Sequence, residues 1–278
     1  MAAIKILLHL LMVGLLTLFT QVGGVLWLIC LPFFRKIRKK LPNPLQRWAA
    51  YALLYSFVYL LASFLIIPPL AKWQCGRVPL PIYKHPHLKP HNVFYYCILN
   101  HHYVRPELKA VAVNVAKKMA ERHPDAVVCY LYANFPFIDG YPLEPHFSHK
   151  DGKKLDVALH WKGAKNNQPI FGTPSLLGYG ACEGPLPNEV SFDEKCRNEG
   201  NWYRNLERDY LGQLDKENFV FDEKRTKEMI QLFAAEKAIG KILLEPHLKT
   251  RLGLAAYNKI RFQGCKAARH DDHIHIQL

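Results

Sequence analysis

The chain has 278 residues, 50% of them hydrophobic, and a formal net charge of +14. This length allows one large domain or two smaller ones. The positive charge does not indicate nucleic-acid binding, because part of it lies in one short basic segment, residues 35–40, between two long apolar stretches. The surplus positive charge instead favours contact with anionic lipid or cell-wall polymers.

Two apolar stretches in the first quarter of the chain predict two transmembrane helices. Residues 4–34 form a nearly unbroken apolar run, and residues 48–70 carry no charge. A helix needs roughly 20 apolar residues to cross a bilayer core, and both stretches reach that length. A cleaved signal peptide fits the first run less well, because the apolar region of such a peptide is only about 7 to 15 residues long.

The basic segment between these stretches predicts how the chain is oriented. Short loops rich in Lys and Arg stay in the cytoplasm. We therefore expect residues 1–73 to form a two-span hairpin with a cytoplasmic loop. The amino terminus and residues 74–278 are expected outside the cytoplasm, the latter as one folded domain.

The pattern of residues 74–278 predicts an α+β domain with a largely antiparallel sheet, because its strands do not alternate regularly with helices. Four prolines predict an extended stalk over residues 76–92. Helices are expected over residues 106–122, over a segment capped by Asp222 that runs to residue 238, and over residues 247–254. Strands are expected at residues 126–132, 155–161, 242–245, 259–262 and 273–278, with irregular loops at residues 134–145 and 163–201.

Six of the seven cysteines follow the apolar stretches. An even number of cysteines in an oxidising compartment permits disulfides. Cys182 and Cys196 are the expected pair, since both lie in a loop rich in Gly, Pro and Asn. Cys129, which lies in an apolar strand pattern, is expected to be a buried thiol.

Histidines and carboxylates in two separate segments predict a metal site. His273 and His275 alternate along a predicted strand, so both point to the same face. In the other segment, a turn at Gly152 can bring His149 and Asp156 to one point. These two residues and one terminal histidine would give zinc three protein ligands and leave a fourth position for water, as in catalytic zinc sites. The other terminal histidine could then accept a proton from that water.

The two segments together resemble a known family. The pattern H-x-S-H-x-x-G-x-x-x-D at residues 146–156, joined to H-D-D-H-x-H at residues 270–275, is similar to that of the penicillin-insensitive murein endopeptidases. These belong to the lysostaphin, D-Ala-D-Ala carboxypeptidase and hedgehog-type metallopeptidase group. The resemblance implies a small antiparallel sheet flanked by helices and long loops, and peptide bonds of peptidoglycan as substrates. It further implies one catalytic Zn²⁺ held by His149, Asp156 and His275, with His273 and His270 as catalytic histidines.

These observations predict a zinc metallopeptidase in the bacterial cytoplasmic (inner) membrane, with its catalytic domain on the periplasmic side and peptidoglycan or its stem peptides as substrate. A D-Ala carboxypeptidase or dipeptidase of the same group and a non-catalytic, zinc-stabilised binding module remain as alternatives. The role of His146 also stays open. Asp271 and Asp272 are expected either to accept hydrogen bonds from the site histidines or to form a solvated turn. His160 and His247 are expected to lie outside the site.

Overall fold

A computed structural model describes residues 2–143, 146–201, 204, 209 and 216–278. Within these residues the chain is a mixed α+β structure, which confirms the predicted class. Its helices are α1 (Ala2–Thr20), α2 (Gly23–Lys40), α3 (Pro44–Leu61), α4 (Ile67–Cys75), α5 (Pro106–Arg122), α6 (Phe192–Asn198), α7 (Glu223–Ala235) and α8 (Pro246–Arg251). Its strands are β1 (Val78–Pro79), β2 (Leu88–Pro90), β3 (Tyr103–Val104), β4 (Val128–Tyr130), β5 (Lys154–Ala158), β6 (Trp161–Gly163), β7 (Phe219–Phe221), β8 (Lys241–Leu243), β9 (Ile260–Arg261) and β10 (His273–Gln277).

The first apolar stretch is not one spanning helix. It breaks between α1 and α2, where Gln21 has a left-handed backbone with φ of 65°. The two helices then pack closely, since a Cβ atom on Gly23 would lie 2.6 Å from Thr20 Oγ1 and one on Gly24 would lie 2.0 Å from Thr17 Oγ1. Among the described residues one segment, Pro44–Cys75, is long and apolar enough to cross a membrane, rather than the two that were predicted.

The turn between α1 and α2 places the described start of α1 differently from the prediction. The Gln21 side chain accepts a hydrogen bond from Phe137 N at 2.8 Å, so the turn contacts the folded domain. At the other end of these helices, Ile6, Arg35 and Arg38 line one small cavity. The start of α1 therefore lies beside the basic segment, and not on the opposite side from it.

The segment predicted as a stalk, residues 76–92, belongs to the folded domain. Its strand β2 is the edge of the largest sheet, and its Leu80 and Leu88 are buried. Arg77 is fully buried and donates hydrogen bonds to the carbonyl oxygens of Phe135 and Lys150. Prolines are compatible with short edge strands, which explains why composition alone suggested an extended linker. The predicted boundary between residues 73 and 74 stays a prediction.

The largest sheet has six strands in the order β2-β4-β5-β10-β8-β9. Its three central pairings are antiparallel, but the outer pairs β2–β4 and β8–β9 are parallel, so the sheet is mixed rather than antiparallel. Two further pairs, β1–β3 and β6–β7, form separate small sheets. On one face of the six-stranded sheet, Ile274 and Ile276 join a buried apolar cluster with Met119 of α5 and Phe233 of α7. The opposite face carries His273, His275 and Gln277 of β10.

Most of the predicted elements are confirmed, with shifted ends. Helix α5 has the predicted bounds, and Asp222 caps α7 by accepting a hydrogen bond from Arg225 N. The strand expected at residues 155–161 is divided into β5 and β6, and the loop at residues 163–201 contains the short helix α6. Of the loop expected at residues 134–145, residues 144 and 145 lie outside the described part.

The predicted disulfide is wrong. Cys196 pairs with Cys265, not with Cys182, because α6 lies against the segment that precedes β10 and the two Cα atoms are 5.0 Å apart. Cys182 and Cys129 are buried thiols. The prediction for Cys129 is therefore confirmed. Cys182 was expected to pair with Cys196 because both lie in one loop of the sequence, but Cys265 is closer in space.

Candidate metal centre

Two neighbouring strands position the first two predicted ligands. Strand β10 pairs with β5 in an antiparallel register that places His275 directly opposite Asp156. Directly opposite residues of an antiparallel pair project from the same face, with their Cβ atoms about 4.5–5.5 Å apart. His275 Nδ1 lies 2.9 Å from Asp156 Oδ1.

A tight turn brings in the third predicted ligand. Gly152 has a φ of 77°, a conformation that favours glycine, and its N–H donates to the Asn134 side chain at 3.1 Å. This turn folds the segment of His149 back over β5. His149 Nε2 then lies 3.2 Å from Asp156 Oδ1 and 3.1 Å from His275 Nδ1.

The three predicted donor atoms thus form a triangle with edges of 2.9, 3.1 and 3.2 Å. Ligands about 2.0–2.1 Å from a tetrahedral zinc ion lie roughly 3.3–3.4 Å from each other. The triangle is therefore close to the size that such an ion requires, and two imidazole nitrogens with one carboxylate oxygen form a donor set that zinc accepts.

The proton on His149 also fits a metal ligand. Its Nδ1 lies 2.7 Å from the carbonyl oxygen of Ala133, which can only accept a hydrogen bond. In the neutral ring Nδ1 therefore carries the proton, and Nε2 directs a lone pair at the Asp156 carboxylate. A backbone carbonyl that holds the second ring nitrogen is a common support for metal-binding histidines.

His146, whose role the sequence left open, lies at the same place. Its Nδ1 is 3.3 Å from Asp156 Oδ2, the carboxylate oxygen that does not face His275. His146, His149 and Asp156 offer ligand atoms that all lie within 4.8 Å of one another, so this group could hold a metal ion of unspecified kind. His149 and Asp156 are common to both donor sets, and His275 and His146 compete as the third ligand.

The two predicted catalytic histidines lie beside these donors. His273 projects from the same face of β10 as His275, and its Nε2 lies 3.8 Å from Asp156 Oδ2. Its Nδ1 is 2.5 Å from Asp272 Oδ1. The ring of His270 has its centroid 4.9 Å from that of His273.

Asp271 and Asp272 are both buried, so they do not form a solvated turn. Asp272 binds the ring of His273 with one oxygen and accepts a hydrogen bond from Gly180 N at 2.6 Å with the other. Asp271 pairs instead with the guanidinium of Arg269. Only Asp272 therefore orients a site histidine.

Tyr179 is a site residue that the sequence did not reveal. Its hydroxyl donates to Asp156 Oδ2 at 2.8 Å and accepts a hydrogen bond from Tyr132 N at 3.2 Å. Its ring also packs against those of His146 and His273. Tyr179 lies in a glycine-rich loop without a helix or strand, and only its aromatic character within that loop could have drawn attention to it.

Burial fixes the charges of these groups. It lowers the pKa of His275 to about 4 and, with the neighbouring imidazoles, holds the pKa of His146 well below its usual range. Burial acts to raise the pKa of Asp156, but His149 and His273 outweigh it and hold that pKa well below its usual range. A neutral His275, a neutral His146 and an ionised Asp156 are the forms of these side chains that bind divalent metals.

A cleft of about 600 Å³ opens onto these residues. His146, His149, His270, His273 and His275 all line it. His160 and His247 do not, as predicted: the ring of His247 binds the carbonyl oxygen of Glu183 at 2.8 Å. A substrate in the cleft would thus meet the histidine cluster directly.

No protein-family model matches this chain, and no curated protein matches it either. The link to the murein endopeptidases therefore remains a resemblance of two motifs.

Proposed function

We propose that this protein is a membrane-anchored zinc metallopeptidase that hydrolyses peptide bonds of peptidoglycan. One observation carries the proposal. His149, Asp156 and His275 come from two distant segments, and one donor atom from each forms a triangle with edges of 2.9–3.2 Å. These three residues would hold the ion, as the motif resemblance implies. When bound, zinc lowers the pKa of a coordinated water and polarises a carbonyl.

His273 has the surroundings of a general base. The Asp272 carboxylate accepts a hydrogen bond from the Nδ1–H of His273, which leaves the Nε2 lone pair towards the ligand cluster. A neutral imidazole in this state can take a proton from water and later deliver it to a leaving amine. His270, beside it in the cleft, can donate an N–H to the oxygen on which negative charge develops.

A location outside the cytoplasm fits three features of the chain. The segment Pro44–Cys75 can cross a membrane. The basic residues 35–40 lie at the end of α2 that is far from the folded domain, and loops of this composition stay in the cytoplasm. The Cys196–Cys265 disulfide suits an oxidising compartment, such as the bacterial periplasm.

The proposal is tested by incubating the full-length protein, purified in detergent and loaded with zinc, with purified peptidoglycan. We expect mass spectrometry to detect cleaved peptide cross-links, and we expect His149→Ala to abolish them. His85→Ala, which alters a histidine outside the cluster, is the matched control and should keep full activity. Turnover that survives chelation of zinc would refute the proposal.

The same digest separates the endopeptidase from its relatives. A carboxypeptidase would release free D-alanine and leave the cross-links intact. The loss of the cross-links without release of alanine is the outcome that we expect, because Asp271, Asp272 and His273 stand where the related carboxypeptidases have a glutamate. Stoichiometric zinc without any product would instead indicate a binding module.

A further inference from the structure

The sheet face that carries the ligand cluster continues into a second row of side chains. On the neighbouring strands β5, β10 and β8, Gln277 lies opposite Lys154 on one side and opposite Lys241 on the other. Asp156 and His275 form the adjacent row, two residues along the same strands. Residues two apart share a face and are separated by about 7 Å along the strand, so the two rows lie side by side.

The second row lines the same cleft as the histidines. Lys154 and Lys241 stand on strands separated only by β10, so their Cα atoms are about 10 Å apart. Gln277 lies between them, and its carboxamide adds a neutral N–H donor. The row therefore presents two cations and one amide towards the cleft.

The charged side chains that line the described part of the cleft are all basic. The described residues that line it include Lys154, Arg204, Lys241 and Lys266 but no carboxylate. Two of these cations are already neutralised, since Lys154 binds Asp151 at 2.6 Å and Arg204 binds Glu245 at 2.7 Å. The ammonium of Lys241 has no ion pair or hydrogen bond with any described residue. This half-buried charge is thus available to a ligand.

We propose that Lys241, with Lys154 and Gln277, binds a carboxylate of the peptide substrate about two residues from the bond that is cleaved. The inference rests on the proposed peptidase function and adds the charge and the position of a group that the substrate must carry. An extended peptide advances about 3.3–3.6 Å per residue, so two residues cover the roughly 7 Å between the rows. A carboxylate there would accept a charge-assisted hydrogen bond, the stronger kind in proteins, from the Lys241 ammonium, with Lys154 and Gln277 as further N–H donors.

Binding is tested on the full-length protein in detergent with zinc removed, so that turnover does not interfere. The probes are a fluorescently labelled, cross-linked stem peptide with free carboxylates and the same peptide with those groups converted to carboxamides. By fluorescence anisotropy we expect the free-carboxylate form to bind about tenfold more tightly to the wild type. In Lys241→Gln this ratio should fall to about twofold or less, while Lys237→Gln, an exposed lysine outside the cleft, should keep the wild-type ratio.

Any of three results would overturn the subsite: the wild type binds the two forms equally, it binds neither form, or the ratio is unchanged in Lys241→Gln. These outcomes are distinct from failure of the peptidase. If the zinc-loaded protein cleaves nothing while the carboxylate preference depends on Lys241, the subsite stands and the hydrolytic function does not. If the protein cleaves both peptides at equal rates and binds them equally, the function stands and the subsite does not.

Discussion

At the scale of single residues, Asp156 is held from both sides. One of its oxygens faces His149 and His275, and the other accepts a hydrogen bond from the Tyr179 hydroxyl at 2.8 Å. Hydrogen bonds of this kind fix the orientation of a metal-binding carboxylate. Tyr179 is thus a positioning residue for the metal centre.

Removal of this hydroxyl gives the first prediction. We expect Tyr179→Phe to lower zinc affinity by about 10- to 100-fold, the usual effect of losing a partner of a metal ligand. Competition with a fluorescent zinc chelator measures the change, and circular dichroism checks that the fold is retained. An unchanged affinity in a folded variant would show that Tyr179 does not support the centre.

The sequence predicted the residues that meet at the site but not everything that holds them. His149, Asp156 and the pair His273 and His275 could be found because strand alternation and a glycine turn are local patterns, while the choice of His275 as the ligand came from the motif resemblance. Tyr179 and Ala133 could not, because their contacts with Asp156 and His149 depend on how distant loops fold together. The choice between His146 and His275 as third ligand depends on distances of a few tenths of an ångström, which no spacing encodes.

Buried histidines away from the site give a prediction for pH. Burial lowers the pKa of His101 and His160 to about 4 and that of His102 to about 3, from an ordinary value of 6.5. Below pH 6.5 the unfolded chain binds protons that the folded chain does not. The free energy of unfolding should therefore fall as the pH drops from 6.5 towards 4.

Thermal unfolding of wild type and His160→Gln at pH 7.5 and pH 5.0 tests this effect. The variant should lose less stability between the two values, because it lacks one group that titrates only in the unfolded chain. The site histidines are present in both proteins, so the difference between them isolates His160. An identical loss in both would contradict the prediction.

At the scale of elements, strand β10 connects the core to the site. Ile274 and Ile276 are fully buried on one face, and His273 and His275 line the cleft on the other. The alternation of apolar and polar residues made this strand predictable. The parallel pairing at both edges of its sheet was not predictable, because strand order depends on contacts between residues far apart in the chain. The segment just before β10 is fixed by the disulfide between Cys196 and Cys265.

The loss of this disulfide should weaken the support of β10. We expect Cys196→Ser to lower the free energy of unfolding by about 2–5 kcal/mol, as removal of a native disulfide usually does. Denaturant titration in detergent measures it, with Cys75→Ser, which alters a cysteine outside the disulfide, as the control. Equal stability of the two variants would mean that the bond adds little to the fold.

At the scale of the whole molecule, the apolar helices are docked onto the domain. Tyr59 of α3 donates to the carbonyl oxygen of Ile98 at 2.6 Å and accepts a hydrogen bond from Asn100 at 2.9 Å. Arg77, just after α4, binds the carbonyl oxygen of Lys150, next to His149. The sequence predicted an extended stalk over residues 76–92, because prolines and polar residues occur both in linkers and in short edge strands. The site is instead connected to the end of the apolar segment Pro44–Cys75.

The orientation of the membrane segment is tested by cysteine labelling in a Cys75→Ser background. In bacterial spheroplasts, Glu199→Cys should react with a membrane-impermeant maleimide, because we expect the domain outside the cytoplasm. Lys39→Cys, in the basic segment, should react only after lysis. The reverse pattern would place the domain in the cytoplasm and remove peptidoglycan as its substrate.

The central claim is that His149, Asp156 and His275 hold one metal ion. Its most direct test is the zinc content of the purified full-length protein, measured by elemental mass spectrometry. We predict one equivalent for the wild type and His146→Ala, and none for His275→Ala. Absence of zinc from a reconstituted wild type, or its retention by His275→Ala and loss from His146→Ala, would contradict the assignment.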